Sequence, residues 1–317
     1  MIRPVGQPAL PLAELPAGAM LKGIAFGLAA ALGWAIYNVG VEVGRKQGFS
    51  SADLTLLRYI VPAVVLLPLL IARRRQVAAR LGLAKAAALT LAIGPLFAFV
   101  FNTGYGIAPL AHAVVISPGM TMITANALSV LIDRRPLPLH RQVGIVILIG
   151  GLAAIAFDQP AAKDPTTATW LGDLCFVCSG FLWGLFTYLL GRWRLDPIDT
   201  TAAVGLLATV TFLPVYLIWF GPTDLPLGDW ALQVVYQGGL GGCLAIILYA
   251  AAIATIGPGL GGLFPALVPP LAVLLAIPLA GSLPTSAQWV GIGLATLGLL
   301  TSLDLARRLL GGGRRPR

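Results

Sequence analysis

Charge is scarce in this chain, and its scarcity decides the class. Only 10% of the 317 residues are Asp, Glu, Lys or Arg, and 58% are apolar; a soluble domain averages about 25% charged. That leaves too little polar surface to coat a soluble fold of this length. Histidine and cysteine are rare as well, at two and three residues. Cys175, Cys178 and Cys243 all fall inside apolar runs. The Cys175-x-x-Cys178 pair has no second Cys pair or His close by, so inert buried thiols are expected rather than a metal site, which takes about four ligands. No metal and no cofactor are expected. The apolar runs also lack the period-2 alternation of a transmembrane β-barrel. The first twenty residues are Pro-rich and have no apolar stretch, which argues against a cleaved signal peptide there.

What is present is a series of apolar runs of roughly 20 residues, the length needed to cross ~30 Å of hydrocarbon as a helix. Ten such spans are expected: 21–42, 52–72, 84–103, 108–131, 140–157, 170–191, 199–220, 230–254, 258–280 and 286–305. Most of the 21 Lys and Arg residues then fall on one side. They lie in the N-terminal segment (Arg3, Lys22), the second loop (Arg73, Arg74, Arg75, Arg80, Lys85), the fourth (Arg134, Arg135, Arg141), the sixth (Arg192, Arg194) and the C-terminus. The positive-inside rule places both termini in the cytoplasm of a multi-pass inner-membrane protein. The net charge of +9 is therefore read as loop charge near anionic lipid rather than affinity for nucleic acid.

The chain also repeats itself. Gly33-Trp34-Ala35-Ile36-Tyr37 returns as Trp183-Gly184-Leu185-Phe186-Thr187-Tyr188, and Gln142-Val143-Gly144-Ile145 as Trp289-Val290-Gly291-Ile292. Pro62 has an echo in Pro214, and Phe157-Asp158 in Leu303-Asp304. Each copy holds an odd number of spans, so the second enters the membrane inverted, as in alternating-access carriers. The expected fold is all-α integral membrane, ten transmembrane helices as two inverted five-helix repeats. Its divisions are a mobile cytoplasmic tail 1–20, a first repeat 21–158, a second repeat 170–305, and a basic cytoplasmic tail 306–317.

Ionisable residues inside spans are functional candidates by default. Arg58 lies about six residues into the second span. It could anchor a substrate carboxylate or gate against Glu42, or it could snorkel outward or pair structurally with Glu42 or Asp53. Glu42, beside Arg45 and Lys46, is a candidate for proton coupling. So is His112, the one histidine not at the first or last residue of a span, because histidine changes charge near neutral pH. The alternative for His112 is a neutral hydrogen bond across helices. Asp173 is expected in the first turn of the sixth helix, favourable against its dipole. No carboxylate lies at the centre of a span, a pattern that suits a facilitator or a weakly coupled exporter.

Asn38, Asn102, Asn126, Ser117, Gln237 and Tyr249 are the remaining polar groups at membrane depth, able to line a cavity or to join helices. Trp34 and Tyr37 from one repeat and Trp183 and Tyr188 from the other are expected to bracket a central cavity. Core packing is the alternative reading for them. Trp219, Trp230 and Trp289 read as an interfacial belt. Pro118, Pro269, Gly242 and Gly261 mark hinges or close packing.

Leu56-Leu57-Arg58-Tyr59, Gly172-Asp173-Leu174, Trp183-x4-Tyr188, Ser117-Pro118 with Val268-Pro269, and the Gly-rich fifth and tenth spans resemble the drug/metabolite transporter superfamily, in its ten-span EamA type. The resemblance covers residues 21–305. It departs where members carry a Leu-Gly-Glu-Arg-like motif: here Ile132-Asp133-Arg134 and Ala280-Gly281-Ser282 stand in its places. It implies a secondary transporter, with amino acids or related amphipathic metabolites as cargo moved outward, and not an enzyme. A carrier of lipid-linked or nucleotide-linked sugars is the rival, with Arg58 thin provision for a pyrophosphate. An intramembrane enzyme is disfavoured because His112 and Ser117 do not share a helix face and no aspartate is central. The expected partners are a small-molecule substrate and the lipid bilayer, and a monomer is compatible with both repeats lying in one chain.

Overall fold

A backbone in lipid must satisfy its own hydrogen bonds, and long apolar runs without strand alternation do so as helices. The computed structural model describes residues 17–108, 110–134, 136–157, 169–280 and 285–302, and these are helical almost throughout. The first half comprises α1 (Ala17–Gln47), α2 (Ser51–Ala72), α3 (Arg74–Arg80), α4 (Gly82–Ile93), α5 (Pro95–Gly104), α6 (Leu110–Leu131) and α7 (Leu139–Phe157). The second half comprises α8 (Thr169–Trp193), α9 (Pro197–Trp219), α10 (Leu227–Gln233), a π-helical stretch (Val234–Leu244) and α11 (Ala245–Ile256). It continues through α12 (Pro258–Gly261), a 3-10 turn (Phe264–Leu267), α13 (Val268–Ala280) and α14 (Ser286–Ser302).

Six segments are long and apolar enough to cross a membrane: Gly18–Gln47, Ser51–Ala72, Gly82–Gly104, Thr169–Trp193, Pro197–Trp219 and Leu227–Ile256. Ile116–Leu131, Leu139–Ala154 and Trp289–Ser302 are shorter apolar helices. Large aliphatic side chains face outward along them, for example Val64 and Val65 on α2 and Leu217 and Ile218 on α9. In water such faces would be a liability; in lipid they are the expected surface. This is an all-α, multi-pass membrane fold.

Several expectations are corrected in detail. Residues 17–20, expected in the N-terminal tail, form the start of α1. The second loop is not open chain but carries α3. The third span breaks at Gly94, where Pro95 begins α5 and no amide is available to continue α4's bonding. The ninth divides into α12, the 3-10 turn and α13 behind Gly257, whose φ of +83° and ψ of 163° suit glycine alone. Asp158, Leu303, Asp304, most of the N-terminal tail and the whole C-terminal tail lie outside the described residues.

The helices pack in pairs that survive exchange of the two halves. α7 packs on α14, and α2 on α9. The α6–α8 contact is matched by α13–α1, and α5–α8 by α11–α1. The exchange holds at the level of atoms. A Cβ on Gly144 would lie 2.6 Å from the Gly298 carbonyl oxygen, and one on Gly151 would lie 2.7 Å from that of Gly291. Gly144 and Gly291 are repeat mates, as are Gly151 and Gly298, so the two contacts are one contact made twice.

Candidate functional site

The centre of the molecule is an aromatic knot where the halves meet. Trp34 on α1 and Trp183 on α8 pack edge to face with ring centroids 4.6 Å apart. Tyr249 of α11 sits edge-on to Trp34 at 5.0 Å, and Phe97 of α5 edge-on to Trp183 at 5.9 Å. The local backbone is secured alike on both sides. Asn38 Nδ2 donates to the Trp34 carbonyl (2.8 Å), and Thr187 Oγ1 donates to the Trp183 carbonyl (2.9 Å). The Tyr105 hydroxyl donates to Asn38 Oδ1 (2.5 Å), and Tyr249 Oη shares a hydrogen with Thr187 Oγ1 (2.8 Å). The tryptophans, expected to bracket a cavity, both line a small one and also touch, because each helix presents its Trp to the same crossing point.

Arg58 lies beside this knot. Ser50 and Asp53 form a capping box that starts α2 at Ser51, so Arg58 falls two turns inside the helix. Its side chain is buried, at 2% exposure. The guanidinium carbon lies 4.8 Å from the Tyr37 ring centre and 5.4 Å from that of Phe97. Among the described residues no carboxylate comes within ion-pair distance, and Nη1 has no hydrogen-bond partner. Burying a cation costs several kcal/mol; a cation–π contact returns about 0.5–2 kcal/mol. Two ring faces, with the hydroxyls of Tyr37 and Tyr59 close by, leave the charge without a counter-ion among the described residues.

Arg58 is the shared wall of two small cavities. One is lined also by Trp34, Tyr37, Asn38, Pro118 and Trp183, the other by Tyr59, Pro62, Thr200, Thr201 and Gly242. They leave about 10 Å³ and about 20 Å³, respectively, for the centre of a water-sized sphere. That is room for a water or two. In this conformation the site is closed around its arginine.

The glycines of the π-helical stretch let α2 come this close. A Cβ on Gly242 would run into the Arg58 carbonyl oxygen, and one on Gly241 into the Tyr37 ring. Pro62 supplies no amide four residues after Arg58, so that carbonyl lacks its usual helical donor. The wider winding is recorded by Ala245 N–H donating to the Leu240 carbonyl, five residues back. Winding of this kind is rare, and where it occurs it is frequently at functional sites.

Other expected site residues are placed elsewhere. Glu42 does not gate Arg58: its Oε1 bonds Lys46 Nζ at 2.6 Å on the exposed face of α1. Asp53 does not meet Arg58 either. Its carboxylate accepts from Ser50 N (2.8 Å), Ser50 Oγ (2.7 Å), Tyr216 Oη (2.6 Å) and Thr223 Oγ1 (2.5 Å). His112 Nδ1 lies 2.7 Å from Asp173 Oδ1, a partly exposed link between α6 and α8 outside both cavities. Asp173 thus has a side-chain partner and does not sit in the first turn of α8. Tyr188 turns away from the knot and, with Arg192, holds Asp133 at the far end of α8.

Asn102 Nδ2 donates to Thr55 Oγ1 (3.2 Å), and Ser117 Oγ accepts from Ser179 Oγ (3.2 Å). Asn126 bonds the Met122 carbonyl within its own helix, and Gln237 bonds Gln233. Pro269 is buried directly after the 3-10 turn, and Gly261 packs on Ile253. Trp219 and Trp289 are exposed, whereas Trp230 is half-buried with its ring 4.8 Å from Phe49. Phe97, Tyr105, Thr187 and Thr200 join the site without having been singled out. A polar residue one turn after each tryptophan was the available signal for Thr187.

Comparison with known proteins agrees with this architecture. A solved crystal structure superposes with a TM-score of 0.71 at 18% identity, covering 92% of this chain and 99% of its own. That likeness is one of fold. None of the curated proteins gives a significant match. The model of the EamA-like transporter family matches twice, over residues 21–157 and 170–303. Two family repeats covering most of the chain, on a multi-pass helical fold, make this protein a member of the EamA-like transporter family within the drug/metabolite transporter superfamily.

Proposed function

We propose that the chain is a secondary transporter that exports small organic metabolites, amino acids or related amphipathic compounds, across the cytoplasmic membrane by alternating access. It crosses ten times as two inverted five-helix repeats, with both termini in the cytoplasm. The observation that carries this reading is the exchange of contacts between halves around one buried aromatic and cationic site. Inverted repeats meeting at a midplane site are the architecture in which one half rocks against the other. The paired glycine contacts of α7 with α14 allow close helix approach, and Pro118 and the π-helical stretch flank the site where bending would open it.

The test is counterflow in proteoliposomes holding purified protein, with a panel of amino acids, aromatic metabolites and organic cations, with and without a pH gradient. Saturable exchange of at least one panel compound is expected. It should be abolished by Trp183→Ala with the folded protein still present. Exchange of nucleotide-linked or lipid-linked sugars, with none of the panel moving, would replace this reading by the sugar-carrier one. Dependence on the gradient, removed by Glu42→Gln or His112→Gln, would identify the coupling group.

A further inference from the structure

The unpaired side-chain groups at the central site are nearly all donors. Arg58 Nη1, Trp34 Nε1, Trp183 Nε1 and the Tyr37 hydroxyl are each buried without a hydrogen-bond partner, and all four residues line the aromatic cavity. Across Arg58, the Thr200 hydroxyl is also unpaired. The amide of Asn38 is engaged on both atoms. The unpaired side-chain acceptors Asn102 Oδ1 and Gln237 Oε1 line neither cavity. Among the described residues no acidic side chain lines either one.

An orphaned buried donor costs about 1–3 kcal/mol, and more when charged. Several converging on one place specify what must arrive: an acceptor carrying negative charge. Arginine meets a carboxylate through two parallel N–H···O bonds, and indole and phenol donors suit the same oxygens. The walls are rings, which favour a planar apolar body. An ammonium group would bring three more donors and one more positive charge beside an arginine that already lacks a counter-ion.

We propose that this site takes a singly anionic aromatic carboxylate without an amino group, with Arg58 as its anchor and Trp34, Trp183 and Tyr37 as neutral donors. This inference rests on the transport reading above and narrows its substrate class. Three probes that share a phenyl ring on a two-carbon chain test it: phenylpyruvate (anion), phenylalanine (zwitterion) and phenethylamine (cation). Wild-type protein in detergent should gain thermal stability with phenylpyruvate and not with the other two. Arg58→Gln should weaken that binding about tenfold or more, as loss of a charged hydrogen-bonded contact implies. Arg58→Lys should retain part of it. Counterflow in proteoliposomes should follow the same order.

Phenylalanine binding or moving as well as phenylpyruvate would overturn the inference and leave the transport reading intact. So would stabilisation of wild type and Arg58→Gln alike by phenylpyruvate. Arg58-dependent stabilisation by chloride, with none by phenylpyruvate, would overturn it in favour of an inorganic anion. Binding of phenylpyruvate without counterflow of any panel compound would uphold the site and remove the transport reading. Should Arg58→Gln fail to fold, Trp34→Phe and Trp183→Phe remove one donor each while keeping an aromatic ring, and each should weaken phenylpyruvate binding.

Discussion

At the scale of single residues, two buried charges contrast. Asp53 is satisfied: its two oxygens accept four hydrogen bonds, from Ser50, Tyr216 and Thr223, and it is fully buried. Arg58, five residues on, lacks such a set. The partner that the proposal gives Arg58 is the substrate carboxylate. Asp53→Asn should destabilise the fold by about 1–3 kcal/mol, because an amide N–H₂ would face donors. Tyr216→Phe should cost about 1 kcal/mol. Both are measurable as shifts in thermal unfolding in detergent, with phenylpyruvate binding per folded molecule unchanged.

The residue scale also shows what spacing can and cannot give. Arg58 stood out as the cation set well inside an apolar run, away from its ends, but its ring neighbours come from α1 and α5, which no spacing relates to it. Tyr188 was misjudged by analogy with Tyr37. At about 100° per residue, a three-residue step returns to within about 60° of the starting face, whereas five residues end about 140° away. Tyr37 therefore shares a face with Trp34, and Tyr188 does not share one with Trp183. Thr187, at four residues, does.

At the scale of elements, proline and glycine were legible as interruptions, but not the form each takes. Gly94-Pro95 splits a span, Gly257-Pro258 starts a fragmented one, and the four glycines within 234–244 accompany π winding. Which winding results depends on the neighbour to be accommodated, here α2 with its Pro62-freed carbonyl. Gly242→Ala should disrupt this contact, since its methyl would meet the Arg58 carbonyl. Transport or phenylpyruvate binding should fall several-fold, about 1 kcal/mol or more by analogy with overpacked cores. Gly293→Ala on α14 meets nothing within 4 Å and should be neutral or stabilising by up to about 1 kcal/mol. Parallel thermal unfolding and binding curves for the two variants decide this.

At the scale of the whole molecule, the repeat and the membrane class were readable because hydropathy and charge bias act over tens of residues. The site was not, because it exists only where the two halves cross. Orientation has its own test. Single cysteines introduced at Gln47 and Gly228 in a cysteine-free background should react with a membrane-impermeant maleimide in intact cells. Cysteines at Arg80 and His140 should react only after permeabilisation. Labelling of all four in intact cells, or of the second pair alone, would remove the assigned topology.

The doubled glycine contact between α7 and α14 has one more consequence: the molecule carries its own control experiment. Gly144 and Gly291 occupy equivalent places in one contact made twice, so a change that acts only through packing should act alike at either mate. Trp34 and Trp183 are mates too, yet their ring neighbours differ: Tyr249 packs on both, and Phe97 on Trp183. Arg58 has no mate. A difference between mates therefore measures how far the two copies have diverged in duty, and on the proposal above Arg58 reads the cargo from the part of the chain that is no longer symmetric.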